Sequence, residues 1–228
     1  MKAAAGRFED IDPQTRRRLD RFAALLLERN ASLNLTAARS AEAVEEHLCD
    51  SLTLMAYVRD PLVDIGSGGG FPAIPLAIAT GYAVTAIEAV AKKAHFLEAS
   101  AAELALPLSV VIGRAEETAH RPDLRERFCS ATARAIGSFS TVLELTVPFL
   151  ALGGIAALQR ARMEDDEWRA GAHAASLLGA EIIGDSRTAT LPDQRRIVLV
   201  RKTATTSSRF PRRSGVPAKR PLGTVRLG

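Results

Sequence analysis

The feature that most narrows what this chain can fold into is a junction. The short run Leu62-Val63-Asp64-Ile65 stops abruptly at Gly66-Ser67-Gly68-Gly69-Gly70. This apolar run, ending on the first glycine, reads as a short strand over 62–66. Glycines at its end let the backbone turn tightly and approach a ligand closely, because no Cβ obstructs either. Beyond the loop the pattern alternates. Residues 71–80, opened by Pro72, read as a helix, 83–88 as a strand and 92–104 as a helix. Strands follow at 109–113 and 130–135, a helix at 141–150, a strand at 155–159 after Gly153-Gly154, and a helix at 164–178. Strands at 181–183 and 196–200 close the series, with a connection short enough for an antiparallel hairpin at one edge. Such alternation predicts an α/β fold, a mostly parallel, Rossmann-like sheet of seven strands with helices on both faces. Ligands of such sheets bind outside the carboxyl ends of the strands, where the glycine loop stands.

The loop's spacing separates nucleotide-binding types. A dinucleotide fingerprint places its third glycine three residues after the second, and Phe71 occupies that position here. No GK[ST] follows, so a phosphate-cradling P-loop is excluded. Glu88, at the end of the second strand and 24 residues after Asp64, stands where an acid accepts hydrogen bonds from ribose hydroxyls. Gly113-Arg114-Ala115-Glu116-Glu117 follows the third strand, where such folds border the base. Taken alone, that acidic pair is more often a solvated helix start, and its position at a strand end reverses the reading.

Two helices are expected ahead of the sheet. Asp12-Pro13 is a good N-cap and N1 pair, and Leu19, Phe22, Ala23, Leu26 and Asn30 then share a face. Ser40 can cap a second helix whose stripe is Val44, Leu48, Leu52 and Met55. The expected organisation is a helical extension over 1–60 packed on the core, the sheet domain over 61–202, and a tail over 203–228.

With 228 residues and 47% hydrophobic content the chain can bury a sizeable core. No unbroken run of about 18 apolar residues occurs, and Met1–Arg7 lead into no secretory core, so a cytoplasmic protein without a membrane span is expected. Cys49 and Cys129 form no CxxC pair, and no metal is expected. The net charge of +4 is unevenly spread. Eight basic and no acidic residues lie from Arg201 onward, leaving 22 basic against 26 acidic before it. That tail reads as extended or disordered in isolation, either a solvated terminus or a segment for a polyanionic partner.

Asp64 with Gly66, Gly68 and Gly70 makes the DxGxGxG pattern of class I methyltransferases, whose donor is S-adenosyl-L-methionine. A carboxylate suits the cationic amine of that donor. Neither cysteine lies in the Pro-Cys motif of enzymes that attack pyrimidine C6 with a thiolate. The place of the Asp/Asn-Pro-Pro-aromatic motif of exocyclic amine methylation holds Thr132-Ala133-Arg134-Ala135.

The chain further resembles the GidB (RsmG) family. The resemblance rests on Asn34-Leu35-Thr36, His47-Leu48-Cys49-Asp50-Ser51-Leu52, Asp64 through Ile78, the loop from Gly113 to Glu117, and Thr132 to Ala135. It extends to Arg209-Phe210-Pro211-Arg212-Arg213-Ser214-Gly215-Val216-Pro217-Ala218-Lys219-Arg220-Pro221-Leu222. It implies methylation of N7 of a guanine in the 530 loop of bacterial 16S rRNA, on the RNA or the small ribosomal subunit; a monomer is the default expectation. It also implies cofactor contacts at Gly66, Phe71, Ala115, Glu116 and Arg134. Guanine N7 carries no proton, so no catalytic acid or base is expected and alignment should dominate.

Arg134 reads either as a contact to substrate phosphate or donor carboxylate, or as part of an internal ion pair. His47 reads as part of a hydrogen-bonded motif beneath the pocket or as a direct contact, and Arg114 as a residue facing RNA. The chain departs from the family at Cys129 (usually Asp), at Gln159-Arg160 (usually Lys-Gly) and at Ala73 (usually Gly). Arg160 is the candidate to replace the lost lysine's charge. Two alternatives remain open on the residues alone: a methyltransferase for a small molecule or protein, and a non-catalytic RNA-binding assembly protein.

Overall fold

In a computed structural model, which describes residues 11–161, 163–187 and 195–223, one seven-stranded sheet organises the chain. Its strands are β1 (Leu62–Ile65), β2 (Val84–Glu88), β3 (Leu108–Ile112), β4 (Phe128–Ala133), β5 (Leu150–Arg160), β6 (Ala180–Arg187) and β7 (Arg196–Lys202), in the order β3-β2-β1-β4-β5-β7-β6. The first five run parallel, and β7 lies antiparallel between β5 and β6, the edge arrangement expected from the short last connection.

Alternation along the strands splits the core in two. Leu62, Val84, Ala86 and Ala157 face one side, against α1 (Pro13–Leu33), α2 (Ala41–Leu52), α3 (Ala73–Thr80) and α4 (Ala91–Glu103). Val63, Ile65, Ala131 and Ala156 face the other, against α5 (Ala115–Thr118), α6 (Phe139–Thr146) and α7 (Asp165–Leu177). Adjacent residues serve opposite faces because side chains of a strand alternate.

The two N-terminal helices start where their caps lie. The Asp12 carboxylate accepts from the amides of Gln14 and Thr15, and the Ser40 hydroxyl accepts from that of Ala43. On α1 the buried face is Leu19, Phe22, Leu25, Leu26 and Asn30. Met55 lies past the end of α2 and is 40% exposed, so the stripe ends at Leu52.

Three boundaries differ from the pattern reading by more than two residues. β5 begins at Leu150 and runs through Gly153-Gly154, which had read as a turn. A Cβ on Gly154 would stand 2.9 Å from the Phe128 carbonyl oxygen, so glycine there permits close backbone approach at the register shift against β4. The helix read at 141–150 is α6 followed by a short 3-10 turn, Val147–Phe149. β6 is longer than 181–183, because its pairing with β7 extends it to Arg187.

The larger correction concerns the tail. Residues 203–223 are packed on the α5–α7 side and include α8 (Val216–Lys219). Phe210 is 3% exposed within the core, and Arg212 makes three side-chain hydrogen bonds to Glu144, which is fully buried. Composition averages over the basic run and conceals one aromatic anchor and one specific carboxylate partner. Several charges are also accounted for. Arg201 pairs with Glu181, and Lys202 is 1% exposed between Glu126, Thr206 and the Val147 carbonyl. Arg209, Arg213, Lys219 and Arg220 remain exposed, and Arg226 lies outside the described residues.

Phe22 links α1 to the glycine loop. It is fully buried and meets Phe71 edge-on at 5.5 Å between ring centroids. Phe22→Ala is expected to lower unfolding stability by about 3–5 kcal/mol in urea titrations, through lost burial and the cavity left behind.

Candidate active site

The register of the sheet brings the candidate residues together. Ile65 on β1 pairs with Ile87 on one side and Ala133 on the other. Glu88 pairs with Ile112, and Ala133 with Leu158. The chain therefore leaves β1, β3 and β4 at Gly66, Gly113 and Arg134 along one edge of the sheet, where Glu88 ends β2 and Gln159 stands near the end of β5.

Glu88 holds the loop. Its carboxylate accepts from the Gly68 amide at 2.8 Å and from the Val90 amide at 2.8 Å, and it is 6% exposed. Gly66 has φ +70°, and a Cβ there would come within 2.7 Å of Ile136. Gly70 has φ +97°, and its Cβ would press on Ile74 at 2.9 Å and Phe22 at 3.0 Å. Any side chain at these two positions is both strained and obstructed.

Asp64 is completely buried below the loop. Its register partner Thr132 donates to Oδ1 at 2.8 Å, while Oδ2 has no partner. Burial pushes the Asp64 carboxyl up to about 6, against the opposing hydrogen bonds of Ser67 and Thr132.

Two cavities open at this edge. The first, about 200 Å³, is lined by Gly66, Glu88, Arg114, Ala115 and Glu116, and also by Ala218 of α8. Glu116 is 5% exposed and accepts from Arg114 Nη2 at 2.9 Å and from the Gly215 amide at 2.9 Å. Burial works to raise its carboxyl, but those two donors outweigh it and hold the group below its ordinary value. Arg114 is thereby tied to the rim, its side chain about half exposed at 51%.

The second cavity, about 450 Å³, is lined by His47, Asp50, Arg134, Ala135, Gln159 and Arg195 among others. Ala135 lines this cavity and Ile136 the first, so one peptide link separates them. Asp50 is its hub. Oδ2 faces Arg134 at 3.2 Å and Arg195 at 3.0 Å, and Gln159 Nε2 donates to Oδ1 at 2.9 Å and to the Asp50 carbonyl at 2.6 Å. The Arg134 guanidinium also lies over the Phe71 ring, 5.1 Å from its centroid. His47 meets the same ring edge-on at 5.3 Å, and burial, then Arg134 and Arg195, lower its pKa.

Of the cofactor contacts expected from the sequence, Gly66, Glu88, Ala115 and Glu116 share the first cavity, whereas Arg134 lines the second. Asp64, Gly68, Gly70 and Phe71 line neither cavity and support the loop from below or within. Arg160 does not replace the missing lysine at Asp50. It turns to the Gly137 carbonyl at 2.7 Å and Glu167 at 2.7 Å, and Arg195 brings the charge instead. No local pattern marked Arg195, because it comes from a segment distant in sequence. Ala218 was legible only as part of a tail motif. Glu144, by contrast, had a signal: it is the sole acid in an otherwise uncharged helix.

A sheet that reverses direction at a glycine loop with an acid at the next strand end defines a class I methyltransferase fold, and its donor is S-adenosylmethionine. The O-methyltransferase from Bacillus cereus in complex with S-adenosylhomocysteine shares this fold at TM-score 0.59 and 17% identity, over 81% of this chain and 91% of that one. Residues 15–191 match GidB, rRNA small subunit methyltransferase G. The ribosomal RNA small subunit methyltransferase G of Deinococcus deserti is 38% identical over 217 residues, covering 90% of this chain and 88% of that protein. Its counterpart in Leuconostoc mesenteroides is 36% identical over 223 residues, 93% of each. The chain belongs to the GidB family of methyltransferases.

The site's own residues fit such a donor: an unpartnered buried carboxylate oxygen for a cationic amine, and a backbone cradle that a Cβ would fill. A cation beside Asp64 favours its ionised form, so donor binding should release a proton around the carboxyl's value of about 6. Affinity for S-adenosylhomocysteine is expected to rise between about pH 5 and pH 7 and then level off. Calorimetry across that range should show the slope in the native chain and its loss in Asp64→Asn.

Proposed function

We propose that this chain methylates N7 of a guanine in the 530 loop of bacterial 16S rRNA, on the RNA or the small ribosomal subunit. In this reading it acts as a monomer in the cytoplasm, and one chain supplies both cavities. The observation that carries the reading is the pair of cavities meeting at Ala135 and Ile136, within a chain matched to the family over residues 15–191. Among the described residues no helix is long and apolar enough to cross a membrane.

Glu88 would take the ribose hydroxyls, and Gly66, Ala115 and Glu116 the base side of the donor. Asp64 would face its amine, and Arg134, beside Asp64, its carboxylate. Bound S-adenosylmethionine supplies a methyl carbon activated by the adjacent sulfonium. The second cavity would hold the acceptor base. Its carboxylate, Asp50, is occupied by Gln159 and two arginines and is poorly placed to take a proton. That suits an acceptor nitrogen that has no proton to lose. Asp50 also offsets part of the charge of Arg134 and Arg195, which limits repulsion of the cationic base formed by transfer. Gln159, Arg160 and His47 also line this cavity, and each keeps one buried polar atom, Oε1, Nε and Nδ1 respectively, without a partner among the described residues.

Primer extension on small-subunit RNA, after borohydride reduction and aniline cleavage, tests the assignment. The stop in the 530 loop should vanish in a strain lacking the gene and return on complementation. A stop undiminished by deletion would overturn it. Arg134→Lys keeps the charge but loses the planar contact with Phe71, and should reduce kcat/KM by about tenfold or more.

A further inference from the structure

The C-terminal segment is built into the nucleoside cavity. Arg212 is fixed by Glu144, through Nε at 2.9 Å to Oε1, Nη2 at 2.6 Å to Oε2 and its own amide at 2.8 Å. Arg212 Nη2 also donates to the Arg220 carbonyl at 2.8 Å, which closes residues 212–220 into a loop. Inside that loop, the Gly215 amide donates to Glu116 at 2.9 Å, Ser214 to Glu117 at 2.7 Å, and Thr141 to the Pro217 carbonyl at 2.9 Å. Ala218 and Thr141 both line the cavity, as does Glu116. One carboxylate therefore touches both the segment and the space for the donor's nucleoside.

The outer side has a different character. Arg209, Arg213, Lys219 and Arg220 are exposed there, and no acidic residue occurs from Arg201 onward. Among the described residues none of the four has an ion pair, whereas Arg212 beside them is fully engaged. Arg213, Lys219 and Arg220 on a loop held by a buried anchor, with Arg209 beside it over the Phe210 ring, form a surface suited to RNA phosphates, whose contacts come mainly from such side chains.

We propose that residues 209–221 are a working part of the methyl-donor site: the inner face closes the nucleoside cavity and the outer face takes RNA phosphates, so donor and RNA bind cooperatively. The outer-face part rests on the reading of RNA as the acceptor. The coupling is reciprocal, since two ligands that stabilise one docked segment must each favour the other.

Equilibrium binding of tritiated S-adenosylhomocysteine to the full chain, with and without 16S rRNA, tests both faces. Gly215→Pro removes the amide that meets Glu116 and cannot adopt the φ of +80° found there, while leaving the Arg212 anchor in place. It should weaken donor binding by about tenfold without RNA, a typical size for coupling through a docked segment, with the melting transition retained. Ala218→Phe, at an exposed position on the cavity wall, should do the same without touching the turn. Unchanged affinity in a folded form of either variant would overturn the inner-face role. For the native chain, saturating rRNA should tighten donor binding by about fivefold or more. Arg213→Glu with Lys219→Glu should lose that gain and keep the RNA-free affinity. RNA that binds the native chain without changing donor affinity would refute the coupling and leave the RNA reading intact. RNA that does not bind at all would overturn the outer-face role and the RNA reading together, and the inner-face result would still stand on its own variants.

Discussion

A right-handed crossover between parallel strands can carry the chain to either side of the strand it left, and here the direction reverses between β1 and β4. The helices after β1 and β4 then cover opposite faces, so no helix closes the space above the carboxyl ends of those two strands. The glycine loop and Arg134 emerge into that space from paired positions on adjacent strands. Glu88 and the Gly113 loop enter from one side, and Gln159 from the other. Every feature of the site is a consequence of where these strands end.

What fills the edge is a set of buried carboxylates, each with a different solution to the cost of leaving water. Glu88 accepts two backbone amides and so shapes the glycine loop. Asp50 collects two guanidinium groups and an amide, and orients Arg134. Glu144 is matched by Arg212 in a two-pronged contact, whose planar fork makes the docked position specific. Of these four acids, Asp64 alone keeps an oxygen without a partner among the described residues, and burial raises its carboxyl value against the hydrogen bonds it does have. Incomplete satisfaction at one acid among several well-paired ones is what supports the proposed contact of Asp64 with the donor's amine.

Much of this was legible in the residues. The alternation of periods placed all seven strands, and the absence of a third glycine at Phe71 separated the loop from dinucleotide binders. The acid at Glu88 was readable because its distance from Asp64 is set by one strand-helix-strand unit. Other parts left no local trace. Arg195 meets Asp50 through a long-range fold contact, and the motif at Gln159-Arg160 did not tell which of its two side chains would turn toward that acid. Alternation predicts the answer only once the strand's face is known: Gln159 points to the hub and Arg160 away from it.

The amino-acid sequence by itself determined the fold class, the donor loop and the family, because each depends on short-range spacing of residue types. Tertiary structure decided the division of the site into two cavities, the partners of Arg134, and the docked position of the C-terminal segment. Those depend on pairings between residues tens of positions apart, whose energies come from burial and from complementary charge rather than from local pattern. Eight basic residues after position 200 read as one polyanion-seeking tail. Folding sorts the described ones, sending Lys202 and Arg212 inward to buried carboxylate partnerships and leaving Arg209, Arg213, Lys219 and Arg220 outside. Only the position of a partner such as Glu144 makes that distinction, and no composition contains it.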